Sequence, residues 1–172
     1  MKNLLLVFIA LWMVSCGSAP TTNTTNTTRG NSPMICQIDG EPWAAEGITG
    51  TYIETGGQII VNVGGTTMAE GRFAMLGIKI FNFSGEGTYH TNDNGVKTMI
   101  SLTGKGGSYT NMGVPSTVEV TSYDAATKTI SGTFKVDLKV NPMNFTGEEY
   151  PEQAIITNGE FKDIELKEMQ VQ

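Results

Sequence analysis

An all-β domain, built as a single antiparallel β-sandwich or a partly open β-barrel, follows from three features of the 172-residue sequence. Glycine is abundant at 21 residues and only 16% of the chain is charged, so few long runs lack a turn-forming or β-branched residue. Apolar residues recur with a period of two, the repeat of a strand with one face buried. No segment carries a convincing helical period. The first part of the chain stands apart from this pattern and divides into a leader and a linker.

Met1-Lys2-Asn3 gives a short positive start, and residues 4–14 form the apolar run LLLVFIALWMV. That run is too short to cross a bilayer, which needs roughly 20 residues, and it fits the core of a secretory signal. Ser15 is the small residue that a signal peptidase requires, and Cys16 follows it. Met13-Val14-Ser15-Cys16 resembles the end of a bacterial lipoprotein signal, with Met13 where leucine is usual. The resemblance implies a diacylglyceryl group on the Cys16 sulfur, cleavage between Ser15 and Cys16, and acylation (palmitate or a similar chain) of the new amino terminus. The alternatives are an ordinary secretory signal with an incidental cysteine, or an uncleaved anchor. One acyl chain holds a protein to a membrane only weakly, whereas two or three give lasting attachment. A sulfur committed to lipid leaves Cys36, the second of two cysteines, without a disulfide partner. Cys36 sits in the apolar stretch Met34-Ile35-Cys36-Gln37-Ile38 and is expected to behave as a small buried hydrophobe.

Residues 16–33 read as the lipidated cysteine and a disordered tether rich in Thr, Asn, Ser, Gly and Pro. A flexible chain of that length typically reaches ~20–25 Å, and ~55 Å when fully stretched. The folded domain occupies residues 34–172.

Within that domain, Ile38-Asp39-Gly40-Glu41 predicts a tight hairpin turn into Trp43-Ala44-Ala45. Residues 58–63 form a β-branched strand bounded by glycines. Residues 73–83, FAMLGIKIFNF, are apolar at both parities and predict a strand covered on two sides, or one crossing a closed barrel or sandwich. Gly87-Thr88-Tyr89 leads to Asn94-Gly95, a two-residue hairpin signal, and residues 97–103 return with Thr98, Ile100 and Leu102 on one face. Residues 117–123 place Val118 and Val120 inward, and residues 124–128 connect them to TISGTFKVDLKV at 129–140. There Ile130, Phe134, Val136, Leu138 and Val140 share one face. Residues 154–157 lead into Asn158-Gly159, read as the turn of a final hairpin that returns through residues 160–166.

Three stretches carry a further resemblance: CQIDGEPWAA at 36–45, YDAATKTISGTF at 123–134 and AIITNGEFKDI at 154–164. Together with the leader they look like a group of small Bacteroidota lipoproteins whose all-β domain has no assigned function. The shared motifs are turns, a paired strand and core aromatics, so no catalytic residue is carried over. The resemblance implies an outer-membrane lipoprotein on the periplasmic face. Gly17 stands where an aspartate would signal inner-membrane retention, and residues 17–20 lack the acidic cluster of a surface-export signal.

Charge narrows the partners. The net charge of −6 is spread along the chain with no basic cluster, which argues against nucleic acid and against attraction to anionic lipid. Neither a metal-ligand spacing nor a phosphate loop is present, so no cofactor or metal is expected. The lone histidine, His90, reads as a surface residue at a strand end, or else as a member of a spatially assembled site. Trp43, Tyr109 and Tyr150 are candidates for a binding rim. Tyr109 and Tyr150 sit in glycine- or proline-containing stretches where exposure is expected, while Trp43 is expected beneath the first hairpin. Glu148, Glu149 and Glu152 read as a solvated acidic loop. The sequence favours a non-catalytic lipoprotein of the envelope, tethered to the membrane and contacting an envelope protein, glycan or lipid. A small apolar-ligand or glycan carrier is the alternative, and an envelope hydrolase the third reading.

Overall fold

The computed structural model describes residues 31–69, 72–92, 95–96, 98–104, 107–111, 114–140 and 151–169. Cys16, the tether up to residue 30 and Tyr150 lie outside them. The described residues are all-β, with thirteen strands and no helix. In chain order these are β1 (Met34–Ile38), β2 (Glu41–Ala44), β3 (Gly47–Thr55), β4 (Gln58–Ala69), β5 (Arg72–Phe81), β6 (Gly87–Asn92), β7 (Gly95–Val96), β8 (Thr98–Gly104), β9 (Gly107–Thr110), β10 (Ser116–Asp124), β11 (Thr129–Val140), β12 (Gln153–Glu165) and β13 (Lys167–Met169).

They form one curled, open sheet whose backbone centre is β11. β12 runs along one edge of β11, from Thr129↔Glu165 to Lys139↔Gln153. The other edge is shared: residues 129–136 pair with β10, and Lys139 and Val140 pair with β9. From β9 the sheet continues through β8, β5 and β4 to β3, and from β10 through β6 to β7. The hairpin β1–β2 adds to the outer edge of β12. Every pairing is antiparallel except one: β13 lies parallel to β3, over Thr51–Ile53. The purely antiparallel expectation is therefore corrected to a mixed sheet. The reason is local. β12 and β13 run in one direction, separated only by Leu166, and β3 already points the same way where they meet.

The alternation in β11 matches the sequence reading. Ile130, Phe134, Val136 and Leu138 are buried, and Val140 is half-buried against the core. Val118 and Val120 of β10 and Ile100 and Leu102 of β8 join the same core. The turn between β10 and β11 is held by the Asp124 carboxylate, which accepts hydrogen bonds from the backbone N–H groups of Ala126 and Thr127. Those bonds hold its carboxyl below the usual range. Asp39 and Gly40 adopt φ of 53° and 82°, the left-handed pair of a two-residue hairpin turn, as expected.

Three expectations need correction. Residues 73–83 are covered on one side only: Leu76, Ile78 and Ile80 face the core, while Met75 is 41% exposed on the opposite face. At the same parity Phe81 is half-buried, and Phe83 is buried in the core only because the strand ends at Phe81 and Asn82 takes φ of 51°. Asn158-Gly159 is not a turn, because β12 is continuous from Gln153 to Glu165. Asn158 takes φ of 50° while Gly159 stays out of the positive-φ region, and the pairing slips there against β11 and against β1. The two residues make a bulge, since a type I′ turn needs positive φ at both positions. At Asn94-Gly95 the register is Asn92↔Gly95, so residues 93–94, outside the described set, connect β6 to the short β7. β8 then pairs with β5 and β9, and β6 pairs with β10.

Candidate functional site

Polar chemistry gathers on the outward face of β10, β11 and β12. Inward positions of these strands are apolar, so period two delivers every second residue to solvent. Thr117 and Glu119 of β10 and Thr133 and Lys135 of β11 face outward, as do Asn158 and Glu160 of β12. The register sets them in rows: Thr117 opposite Lys135, and Thr133 between Glu119 and Glu160. Together with Phe134 and Gly159 they line a shallow groove of about 560 Å³. The resulting surface offers two hydroxyls, two carboxylates, an ammonium and an amide; Thr117 is half-buried and the Asn158 amide donates to Gln37 Oε1 at 2.9 Å. That suits hydrogen bonding to an extended polar partner.

His90 extends this face. It is exposed on β6, directly opposite Thr117, and its Nδ1 lies 3.3 Å from the Thr117 hydroxyl. A threonine hydroxyl on an open sheet is its hydrogen-bond partner. Among the described residues no three His, Cys, Asp or Glu side chains group as metal ligands do.

The aromatic candidates do not converge on His90. Trp43 lies on β2, half-buried, with its ring over Gly65 of β4, where a side chain would stand 2.9 Å from Trp43 Cη2. It packs against the core beneath the β1–β2 hairpin, as expected. Its indole Nε1 is buried without a hydrogen-bond partner among the described residues. Tyr109 corrects the sequence reading: it belongs to β9, not to a loop, and is only 2% exposed. The glycines at 104 and 107 pair with each other across β8 and β9, and the short connection directs Tyr109 inward, opposite Leu102 and Val140. Tyr150 and Cys16 fall outside the described residues.

A polar cluster with no signature in the sequence lies inside the molecule. Asn111, 2% exposed, pairs with Ile100 through both its backbone and its side chain: its N–H donates to the Ile100 carbonyl, and its Oδ1 accepts from the Ile100 N–H at 3.0 Å. Its Nδ2 donates to the hydroxyls of Thr91, at 2.9 Å, and Ser116, at 2.7 Å. Those hydroxyls are themselves 2.7 Å apart. An asparagine after a strand reads in sequence as a turn former; only the fold shows its amide acting as a further rung of the ladder.

In the β10–β11 turn, the Lys128 side chain reaches the β13–β3 pair. Its ammonium lies 2.8 Å from Glu168 of β13 and 4.2 Å above the Tyr52 ring of β3. The hydrogen bond to Glu168 raises the Lys128 pKa. Burial, with Tyr52 nearby, raises that of Tyr123, whose ring meets Phe83 edge-on at 4.9 Å.

No family model matches this chain, and neither the curated proteins nor the solved structures offer a match.

Proposed function

We propose that the protein is a lipid-anchored lipoprotein of the bacterial envelope, attached through Cys16. Its all-β domain is a non-catalytic module that binds another envelope component. The observation that carries the binding role is the outward face of β10–β12. Its donors and acceptors stand in rows on an open sheet with His90 at the margin, an arrangement made for surface contact. The anchor rests on the sequence MVSC after an apolar run too short to span a bilayer. We read the curled sheet as a partly open barrel rather than a sandwich. The support is β13, which continues the path of β12 and pairs with β3.

The test is made in cells. Cys16→Ala should move the chain from the membrane fraction to the soluble envelope fraction; a variant that stays with membranes would overturn the anchor. In the lipidated chain, a photo-crosslinking residue at Thr133 should capture a partner that the same residue at Thr49, on β3, does not. Equal capture at both positions would overturn the face.

A further inference from the structure

Among the described residues only Met68, Met75, Ile155 and Met169 are large hydrophobic side chains left exposed. Ile155 and Met169 stand singly on β12 and β13. Met68, 58% exposed, and Met75, 41% exposed, are neighbours. Thr66 of β4 lies opposite Met75 of β5, and Met68 is two residues further along the same face. The two side chains are thus diagonal neighbours across the pair, within reach of each other. Scattered exposed hydrophobes are ordinary on a soluble surface, but adjacent methionines form a deformable apolar patch.

The patch lies on the flank where the chain enters the domain. Ser32 Oγ donates to the Ala45 carbonyl at 2.7 Å. The next residue, Glu46, donates its N–H to the Thr66 carbonyl at 2.8 Å, and its carboxylate accepts from the Met68 N–H at 3.2 Å. A short relay of hydrogen bonds therefore connects the end of the tether to Met68. Residues 16–30 are the chain between the lipid-bearing cysteine and the first described residue. Their typical reach, ~20–25 Å for the tether, is comparable to the ~15 Å radius of a domain this size, so the tether lets the flank of entry reach the bilayer surface without fixing it there.

We propose that Met68 and Met75 form a membrane-contact patch that seats this flank on the lipid surface; the inference rests on the Cys16 anchor proposed above. The occupant is lipid, and contact is apolar. A chain with a net charge of −6 gains nothing from anionic headgroups, so zwitterionic lipid is the fitting surface. Seating would fix which way the polar face of β10–β12 points, restricting the rotational freedom a flexible tether otherwise allows.

The experiment uses the full lipidated chain in phosphatidylethanolamine-rich vesicles. Met68→Cys, Met75→Cys and, as a control on the other branch of the sheet, His90→Cys each carry a nitroxide label. Cys36 remains unlabelled because it is buried and its thiol is pushed up to about 12. Collision rates with oxygen, which concentrates in lipid, are compared with those of a polar nickel complex. At positions 68 and 75 the oxygen-to-nickel ratio should rise several-fold on reconstitution, and at 90 it should not. Equal ratios at all three positions would overturn the patch. The mass of the Cys16 peptide is read from the same samples. With Cys16 lipidated and all three labels aqueous, the anchor stands and the patch falls. With Cys16 unmodified, both fall together.

Discussion

The Cys36 thiol points inward from β1, 4% exposed, and burial pushes its pKa from 9.0 to about 12. Folded and unfolded chains then differ in proton binding between those values. Above pH 9 the unfolded thiol loses its proton while the folded one keeps it, so the folded state is penalised as pH rises through that window. Below pH 9 both forms are protonated and the contribution is flat. Across the window, stability should fall by about 1.4 kcal/mol per pH unit relative to a Cys36→Ala variant, which lacks this titration. Urea unfolding midpoints of the two proteins across the window check it; parallel pH profiles would refute the linkage. In the native protein at neutral pH, iodoacetamide should leave Cys36 unmodified. The burial of this cysteine was legible from its apolar neighbours in MICQI. The burial of Tyr109 was not, because glycines on both sides of a strand pair look, in sequence, like glycines of an open loop.

At the level of the strand pair, β11 and β12 are locked by two reciprocal contacts. Gly132 lies opposite Phe161, and Phe134 lies opposite Gly159. Each phenylalanine occupies the space that a side chain on the facing glycine would need. A Cβ on Gly132 would stand 2.5 Å from Phe161 Cζ, and closer still to the Glu119 carbonyl oxygen. A Cβ on Gly159 would stand 2.6 Å from the Phe134 ring and 2.5 Å from its carbonyl oxygen. The two rings lie 6.4 Å apart, tilted by 27°. Covering a strand glycine with an aromatic ring restores the burial that the missing side chain forfeits. Gly132→Ala or Gly159→Ala should each cost about 1–3 kcal/mol through overpacking, read as a lower urea midpoint with an unchanged slope. Gly57→Ala tests a different origin, since Gly57 has open space around it and only its φ of 76° resists substitution. The sequence displayed both halves of the lock, SGTF and TNGEF, as strand and hairpin motifs. It did not show that they face each other, because Asn158-Gly159 carries the local signature of a turn. The surrounding sheet overrides that signature: β1 and β11 pair on both sides of the segment, and a turn would forfeit their hydrogen bonds.

Across the whole molecule the sheet divides at β11, and a divided sheet needs something to hold the branches together. Asn111 does this by bonding Ile100 of β8 on one branch and Thr91 of β6 and Ser116 of β10 on the other. Asn111→Ala removes those side-chain bonds from the interior and should cost about 1–3 kcal/mol. Amide protons of β6 and β8 near the junction should exchange faster, while those of β1 and β12, at the far side of the sheet, keep their protection. Uniform loss of protection would show that the cluster stabilises the domain without joining its branches. The sequence by itself determined the class of this protein: strands from period-two alternation, turns from Asp39-Gly40 and residues 124–128, inward faces for β8, β10 and β11, and the expectation of a leader, a lipid-bearing Cys16 and a tether. These are local properties, set by side-chain parity, backbone preference and composition within a few residues. Only the tertiary structure decided that β13 meets β3 in parallel, that Tyr109 and Asn111 are interior and that Asn158-Gly159 is a bulge. It also placed His90 beside Thr117 and brought two methionines together where the chain enters. Each of these depends on which strands become neighbours. That choice is made by burying one common core from strands far apart along the chain, and no window of sequence contains it.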